Sequence, residues 1–323
     1  MEKVVRPDNL FDAFLRAKRG KGGNAEMLHF QQNLEEELDC IAGELLADRY
    51  SVGSYFRFTV YDPKKRTICA APFRDRVAMH ALMRVCHPVF DNYQFFDSYA
   101  SRKQKGTYAA IDRARMFVRK YQWFAKLDVC HFFDSVSHQV LMTQLKSLFK
   151  DQLLTGCFQR IIEGYHTLPG HGLPIGNLTS QYFANHYLSS GDHFLKENLH
   201  VPAMVRYMDD IILFDNDRHR LLDIISSYVD YVENTLRLQM HDPIVNSCRF
   251  GLPFLGYVVF PDKLHLNQRS RKRFLRNLSH LNWLFESESI SESDYHRRLT
   301  AAFSFVRHAH ATKFQQKALD KMS

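Results

Sequence analysis

The sequence predicts an α+β fold built from antiparallel hairpins and amphipathic helices, and three observations predict this class. Two apolar runs flank an Asp-Asp pair at residues 209–210, which is typical of a tight hairpin. Residues 52–61 alternate like a strand and precede a turn at 62–65 and a partner strand at 66–71. Elsewhere apolar residues recur at helical spacing, and beyond residue 268 no strand pattern remains. Since tight hairpins join antiparallel neighbours, we expect an antiparallel sheet backed by helices.

The composition is that of an ordinary globular protein. The chain has 323 residues, of which 45% are hydrophobic and 24% are charged. The first 30 residues lack the apolar core of a signal peptide, and no run approaches the ~18 apolar residues needed to span a bilayer. We therefore expect a cytoplasmic protein without a membrane partner. Six scattered cysteines, none in a Cys-x-x-Cys pair, predict free thiols and argue against a structural zinc site.

The positive charge lies in two segments of the chain. Residues 64–120 contain 13 Lys and Arg against 4 Asp and Glu, and residues 265–323 contain 11 against 5. Residues 1–63 and 121–264 carry net charges of −3 and −4, within a total of +8. This distribution favours a polyanion that is held by the basic segments while its reactive end meets carboxylates in between. The alternative is that the basic helices are only solvated faces.

The remaining elements are predicted in order along the chain. Residues 16–23 are basic and rich in glycine, which predicts a flexible loop. Pro72 and Thr107 are residue types that open helices. The apolar run at 123–129 predicts a buried strand that delivers Asp128 to its exposed end. The predicted helices cover about 29–47, 73–90, 107–120, 137–149, 151–165, 177–199 and 217–237, and the remaining strands lie near 254–260 and 263–266.

Three carboxylates carry the predicted chemistry: Asp128 at a strand end, and Asp209 with Asp210 in a hairpin. Two strands of one sheet can bring these groups together. Carboxylates are hard oxygen ligands suited to Mg²⁺, and adjacent acids repel each other unless a cation is present. Such a cluster predicts two Mg²⁺ ions, with Mn²⁺ as the alternative, and nucleotidyl transfer. The structural alternative is that two aspartates occupy an ordinary turn.

Several blocks of sequence resemble the reverse transcriptase family in order and spacing, over residues 55 to 275. Tyr-Met-Asp-Asp at 207–210 resembles the catalytic hairpin of the family, and Lys-Leu-Asp at 126–128, followed by Phe132 and Phe133, resembles its first catalytic motif. The other blocks are Gly-Leu-Pro-Ile-Gly-Asn-Leu-Thr-Ser-Gln at 172–181, Phe-Leu-Gly-Tyr at 254–257, and the basic stretches at 74–76 and 98–107.

The resemblance implies a right-hand polymerase with an antiparallel palm sheet, fingers and a short helical thumb. The expected divisions are an N-terminal helical extension at 1–50, fingers at 51–122, a palm at 123–264 that includes fingers and palm helices at 137–199, and a thumb at 265–323.

The resemblance also implies roles for individual residues. Asp128, Asp209 and Asp210 are the implied catalytic and metal-binding residues, joined by the backbone carbonyl of Val129. Phe133 is the implied steric gate against a ribose 2′-hydroxyl, although an aromatic core residue is the alternative. The implied nucleotide-binding residues are Arg74, Arg102, Lys105, Phe133, Ile175 and Gly176. The implied template- or primer-binding residues are Asn177, Gln181, Tyr207, Phe254, Leu255, Gly256, Arg271 and Lys272.

Within the family, the form Ile-Gly-Asn-Leu-Thr-Ser-Gln resembles diversity-generating retroelement enzymes. This implies error-prone cDNA synthesis from a dedicated template RNA, with deoxynucleoside triphosphates as substrates and a small accessory protein or self-association. Antiphage defence reverse transcriptases, which use a structured noncoding RNA, are the near alternative. Ile175 replaces the usual glutamine, which predicts weaker checking of base-pair geometry, or else simple packing beneath the loop. A non-catalytic RNA-binding scaffold is the alternative from another class.

Overall fold

The computed structural model describes residues 1–20, 24–61, 65–309, 314 and 316. The chain separates into two units. Unit 1 contains Met1–Phe96, Asp128–Leu199 and Ser227–His241, and unit 2 contains Asp97–Leu127, His200–Ser226 and the described residues from Asp242 onward. The turn predicted at 62–65 falls mostly outside the described residues. No helix within the described ranges is long and apolar enough to cross a bilayer.

The described elements alternate helices with short strands. The helices are α1 Pro7–Lys18, α2 Ala25–Gln32, α3 Leu34–Leu46, α4 Phe73–Tyr93, α5 Thr107–Lys120, α6 Phe132–Ser135, α7 His138–Leu148, α8 Gln152–Glu163, α9 Leu178–His193, α10 Arg218–Asn234, α11 Gln268–Glu286 and α12 Glu292–Arg307. The strands are β1 Phe56–Val60, β2 Arg66–Ala70, β3 Trp123–Leu127, β4 Ala203–Tyr207, β5 Asp210–Asp215, β6 Ile244–Ser247, β7 Leu252–Phe254, β8 Tyr257–Val259 and β9 Leu264–Leu266. A π-helical segment, Phe194–Asn198, extends α9.

Unit 1 is mainly helical. Helix α4 packs against α1 and α9, and the rings of Phe14, Phe30 and Phe73 contact one another in its core. Strands β1 and β2 form an antiparallel hairpin whose first strand is exposed on both faces. Within β1, the rings of Phe56 and Phe58 contact each other, with their centroids 5.9 Å apart.

The N-terminal region differs from its prediction in two places. The single helix predicted over 29–47 is two helices that meet at Asn33, because asparagine favours helix ends over helix interiors. Residues 16–18, predicted as part of a basic loop, lie in the last turn of α1, and residues 21–23 lie outside the described residues. The helix has an apolar face formed by Leu10, Ala13, Phe14 and Ala17, which the prediction missed.

Unit 2 holds two antiparallel sheets. The first has the order β4-β5-β3-β6, and the second has the order β7-β8-β9. Phe124 and Phe214 from the first sheet share a hydrophobic core with Phe254 and Tyr257 from the second and with Phe274 of α11. The mixture of helices and antiparallel sheets confirms the predicted α+β class.

Two details of the strand prediction change. The strand predicted near 254–260 is divided into β7 and β8, because Leu255 and Gly256 form a tight turn between them. Strand β6 was not predicted, since it has only four residues and lies at the edge of its sheet, where polar residues are tolerated.

Candidate active site

The central feature of unit 2 is the turn between β4 and β5. Tyr207 pairs with Asp210, so Met208 and Asp209 form a two-residue turn, in line with the hairpin predicted from the sequence. Met208 has a φ of 54°, a left-handed conformation that is unfavourable for a residue with a side chain. Asp209 and Asp210 are both half-buried. The turn therefore presents two adjacent carboxylates on a strained backbone.

A lysine from the neighbouring strand contacts this turn. Lys126 in β3 lies opposite Ile212 of β5, and its Nζ is 2.8 Å from Oδ1 of Asp210. The two side chains are 24% and 28% exposed. Because like charges on adjacent carboxylates repel, the ammonium group of Lys126 supplies a compensating charge.

The donor chemistry of the turn suits a divalent cation. Asp209 and Asp210 offer hard carboxylate oxygens of the kind that Mg²⁺ binds. The described residues contain no group of three or more His, Cys, Asp or Glu side chains arranged to hold a metal ion. Oδ1 of Asp210 is held by Lys126 instead.

Asp128 and Val129 follow β3 directly and belong to unit 1. Asp128 is half-buried, and its backbone carbonyl accepts a hydrogen bond of 2.9 Å from the amide of His241. Val129 is buried and forms an isolated antiparallel bridge with Met240. The hydrogen bonds of this bridge use the Asp128 carbonyl and the Cys130 amide, and not the Val129 carbonyl predicted as a metal ligand.

The basic stretch at 98–107 contacts strand β4, which leads into the β4–β5 turn, within unit 2. The amide of Tyr99 donates to the carbonyl of Arg206 at 2.9 Å, and Oγ1 of Thr107 donates to the hydroxyl of Tyr207 at 3.2 Å. Thr107 is the first residue of α5 and makes no cap hydrogen bond there. Arg102 donates to the carbonyl of Ser98 at 3.0 Å. Nζ of Lys105 lies 4.7 Å from the centre of the Tyr99 ring.

The loop at 172–177 is fixed at both ends inside unit 1. The Leu173 amide donates to the carbonyl of Phe133 at 2.7 Å, and the Ile175 carbonyl accepts from the amide of Cys69 in β2 at 2.8 Å. Gly176 has a φ of 120°, and a Cβ there would lie 2.8 Å from Cγ2 of Ile68. Glycine is therefore required at this position. Through these two hydrogen bonds, the loop contacts both the backbone of Phe133, the predicted steric gate, and strand β2 of the β1–β2 hairpin.

The side chains around this loop differ in exposure. Phe133 is half-buried and contacts the ring of Phe132, with 5.7 Å between centroids, so it is only partly committed to the core. Ile175 and Gln181 are also half-buried. Asn177 is 3% exposed at the start of α9, and its amide makes no cap hydrogen bond.

The side chains of the Arg-Asp-Arg stretch at 74–76 make ion pairs and hydrogen bonds within unit 1. Arg74 lies 2.9 Å from Glu44 and 3.5 Å from Glu37. Asp75 is buried and accepts hydrogen bonds from the Tyr50 hydroxyl at 2.8 Å and the Gly53 amide at 2.9 Å. Burial raises the pKa of the Asp75 carboxyl. These contacts fix the chain before β1 to α4.

The predicted primer contacts lie at the β7–β8 turn and on α11. Phe254 is 1% exposed, so its side chain belongs to the core, whereas Leu255 and Gly256 in the turn are half-buried. Leu255 and Gly256 have φ values of 47° and 89°, as a two-residue hairpin turn requires. Arg271 and Lys272 are exposed on α11.

Comparison with known sequences decides the family. The sequence model described as "Reverse transcriptase (RNA-dependent DNA polymerase)" matches residues 62–243, more than half of the chain. This chain belongs to the reverse transcriptase family. The matched range includes β3, the 172–177 loop and the β4–β5 turn, and ends before the β7–β8 turn and α11.

Two curated proteins show the same relationship over part of their length. Protein YkfC of Escherichia coli (strain K12) is 26% identical over 191 residues, which are 54% of this chain and 49% of that protein. The putative COX1/OXI3 intron 1 protein of Saccharomyces cerevisiae is 23% identical over 135 residues, which are 40% of this chain and 16% of that protein. The chain thus matches about half of the first relative and a smaller part of the second.

Solved structures agree with the fold. The apo telomerase from Candida tropicalis superposes with a TM-score of 0.53 at 10% identity, over 71% of this chain and 52% of that one. A likeness at this identity speaks for the reverse transcriptase fold alone.

Sequence reasoning missed two residues of this reverse transcriptase that contact the catalytic turn. Lys126 was noted only as part of a motif, and Arg206 was not singled out at all. Arg206 donates through Nη1 to the carbonyl of Met208 at 3.2 Å. In the sequence, Lys126 and Arg206 each lie inside an apolar strand, where a charge needs a specific partner. This pattern could have identified both residues.

Proposed function

We propose that this chain is an RNA-directed DNA polymerase in which Asp128, Asp209 and Asp210 bind two Mg²⁺ ions. One observation carries the proposal. This chain belongs to the reverse transcriptase family, and its strand β3 pairs with β5 so that Leu127 lies opposite Ile211. Asp128 follows Leu127 and Asp210 precedes Ile211. This register supports a common role for carboxylates from both strands.

The three carboxylates would have unequal roles. The bound metal would activate the primer hydroxyl and offset the charge of the leaving pyrophosphate. Asp209 stands in the turn itself, and Asp210, the first residue of β5, contacts Lys126. Following the family resemblance, we assign Asp128 and Asp209 as the principal ligands and Asp210 as a supporting one. The Val129 carbonyl remains a proposed ligand, since the bridge to Met240 does not use it.

Phe133, Arg102 and Lys105 are proposed to bind the incoming deoxynucleotide. Phe133 keeps a partly exposed ring, and its backbone is tied to the 172–177 loop that holds Ile175 and Gly176. A ring in this place would exclude a 2′-hydroxyl by contact. The basic groups would neutralise the triphosphate. Arg102 donates to the Ser98 carbonyl beside the β4–β5 hairpin. Arg74 would have to leave Glu37 and Glu44 before it could contact a triphosphate.

Template and primer are proposed to contact the polar and basic residues predicted from the family. Arg271 and Lys272 are exposed and would contact phosphates. Asn177 and Phe254 are buried, so they would act indirectly. Asn177 would stabilise the 172–177 loop, and Phe254 would stabilise the β7–β8 turn. The remaining proposed contacts are Gln181, Tyr207, Leu255 and Gly256.

The proposed biological role is error-prone copying of a dedicated template RNA into cDNA, in a diversity-generating retroelement. Ile175 supports this role, because its side chain cannot hydrogen-bond a base pair and its carbonyl is already bound to Cys69. The proposed partners are the template RNA and a small accessory protein or a second copy of the chain. Antiphage defence with a structured noncoding RNA is the alternative role of the same chemistry.

The activity is tested by deoxynucleotide incorporation on a primed RNA template with Mg²⁺. Wild type should extend the primer, and Asp209→Asn should not, since an amide is a weaker metal ligand than a carboxylate. Circular dichroism and thermal unfolding of both proteins verify that the variant is folded. Equal extension by the two proteins would show that the activity does not depend on Asp209 and would overturn its assignment. No extension by wild type on any RNA supplied would support the non-catalytic scaffold instead.

The error-prone role is tested by deep sequencing of cDNA made on one defined RNA. Ile175→Gln should reduce the misincorporation frequency, because glutamine restores a hydrogen-bonding group. Ile175→Leu is the matched control, since it conserves volume without adding a polar group. An unchanged error spectrum in Ile175→Gln would mean that Ile175 only packs beneath the loop.

A further inference from the structure

A fully buried arginine stands directly before the catalytic turn. Arg206 in β4 has 0% exposure and is one of the largest fully buried side chains among the described residues. Its neighbours in the strand, Val205 and Tyr207, are apolar or aromatic. A buried guanidinium is unfavourable by several kcal/mol unless its donors are bound. Its presence therefore calls for a specific contact.

The side chain of Arg206 reaches the turn itself. Nη1 donates to the carbonyl of Met208 at 3.2 Å. Met208 is the residue with the left-handed φ of 54°, and Asp209 follows it. A charged donor forms a stronger hydrogen bond to a carbonyl than a neutral donor does. The contact therefore stabilises the orientation that the Met208 carbonyl has when Met208 is left-handed.

The backbone of Arg206 is also fixed. Its amide donates to the Asp97 carbonyl and its carbonyl accepts from the Tyr99 amide, both at 2.9 Å, in a parallel bridge with Ser98. Asp97 is in turn bound by Arg113 through two contacts of 2.8 and 3.1 Å. The side chain therefore extends from an anchored point toward the turn.

We propose that Arg206 is a positioning residue that holds Met208 in its left-handed conformation and thereby sets the place of the Asp209 carboxylate. The inference rests on the proposed function only where it treats Asp209 as a metal ligand. The role of Arg206 in the conformation of Met208 does not depend on whether the protein is an active polymerase.

A double-mutant cycle on thermal unfolding tests the turn. Arg206→Met should lower Tm, and the loss should shrink by at least about half in a Met208→Gly background, because glycine adopts a positive φ without strain. The loss of buried charge and volume is common to both backgrounds and cancels in the cycle. Arg113→Met is the control, since Arg113 fixes the same segment without reaching the turn, and its Tm loss should be equal in both backgrounds.

A second measurement tests the consequence for metal binding. Mn²⁺ binding to the protein without nucleic acid, followed by electron paramagnetic resonance, should weaken by about tenfold in Arg206→Met, as expected when a ligand is misplaced. In Arg206→Lys, which keeps the charge but not the planar fork, binding should weaken less. In deoxynucleotide incorporation, kcat should fall while KM for the nucleotide stays within about twofold.

The two measurements separate the inference from the proposed function. An additive unfolding cycle overturns the positioning role even if wild type is an active polymerase. Coupling in the cycle sustains the role of Arg206 in the turn even if wild type incorporates no deoxynucleotide. Coupling with unchanged Mn²⁺ binding overturns the assignment to the Asp209 carboxylate.

Discussion

Two-residue turns join β4 to β5 and β7 to β8 in unit 2, and they differ in how the sequence supports a left-handed backbone. The β7–β8 turn uses Leu255 and Gly256, with φ of 47° and 89°. Glycine at the second position is the residue that such turns prefer. The β4–β5 turn has Met208 at its left-handed position, where glycine or asparagine would be the local choice.

The comparison shows two sources of turn stability. At the β7–β8 turn Gly256 supplies one of the two left-handed residues without strain, and Leu255 supplies the other with a side chain. A Cβ at Gly256 would come within 2.8 Å of Oγ of Ser270. At the β4–β5 turn the local sequence is unfavourable, and Arg206 and Lys126 supply contacts from outside the turn. Local rules are most often broken at functional sites. The β4–β5 turn therefore has no glycine at its left-handed position and depends on contacts with charged strand residues, whereas the β7–β8 turn has glycine at one of its two left-handed positions.

The largest expected effect distinguishes the two aspartates at the β4–β5 turn. Asp209→Asn should lower primer extension by on the order of 10³-fold, because Asp209 is proposed as a principal metal ligand. Asp210→Asn should lower it by about 10- to 100-fold, since Asp210 is proposed as a supporting ligand. Single-turnover extension rates at saturating Mg²⁺ measure both. A larger loss in Asp210→Asn than in Asp209→Asn would reverse the assignment.

The next effect concerns stability at the other turn. Gly256→Ala should lower the free energy of unfolding by about 1–3 kcal/mol, since alanine is strained at this φ and its Cβ would meet Ser270. Denaturant unfolding measures the change. Gly170→Ala is the matched control, because Gly170 also has a positive φ, 73°, with no atom within 4 Å of its Cβ position. Equal losses in the two variants would mean that strain acts without the contact.

Much of this comparison could be predicted from the sequence, since side-chain periodicity identifies strands and turns. The Asp-Asp pair between apolar runs indicated the hairpin at 207–210, and the run at 123–129 indicated β3. These patterns are local. The division of 254–260 into two strands was missed, because the apolar alternation continues through Leu255 and conceals the turn.

The contacts that support the catalytic turn could not be predicted in this way. Lys126 and Arg206 lie far from each other in sequence, and both are charged residues in apolar strands. The partner of Lys126 depends on the register of β3 on β5, and the backbone of Arg206 is fixed by residues 97–99. No local pattern specifies either of these long-range contacts. The roles of the site residues came from the family resemblance and remain proposals.

The smallest expected effect concerns the ion pair between Lys126 and Asp210. Because the ammonium group holds Oδ1 of Asp210, it competes with a metal ion for that oxygen. Lys126→Met should therefore lower the Mg²⁺ concentration that gives half-maximal extension, by about two- to fivefold. The free energy of unfolding should change by less than about 1 kcal/mol, since ion pairs of this kind contribute little. Mg²⁺ titrations of extension and denaturant unfolding measure the two quantities.

A matched ion pair in unit 1 separates the effect on metal binding from the general loss of a charge. Arg84 contacts Asp12 at 2.6 Å, and the two side chains are 28% and 50% exposed. Arg84 also donates to Oδ1 of the buried Asn9 at 3.0 Å, so Arg84→Met should lower stability at least as much as Lys126→Met and leave the Mg²⁺ dependence as in wild type. If Lys126→Met instead required more Mg²⁺, Lys126 would be orienting Asp210 for the metal. In that case both external contacts of the catalytic turn, from Arg206 and from Lys126, would serve to position its carboxylates.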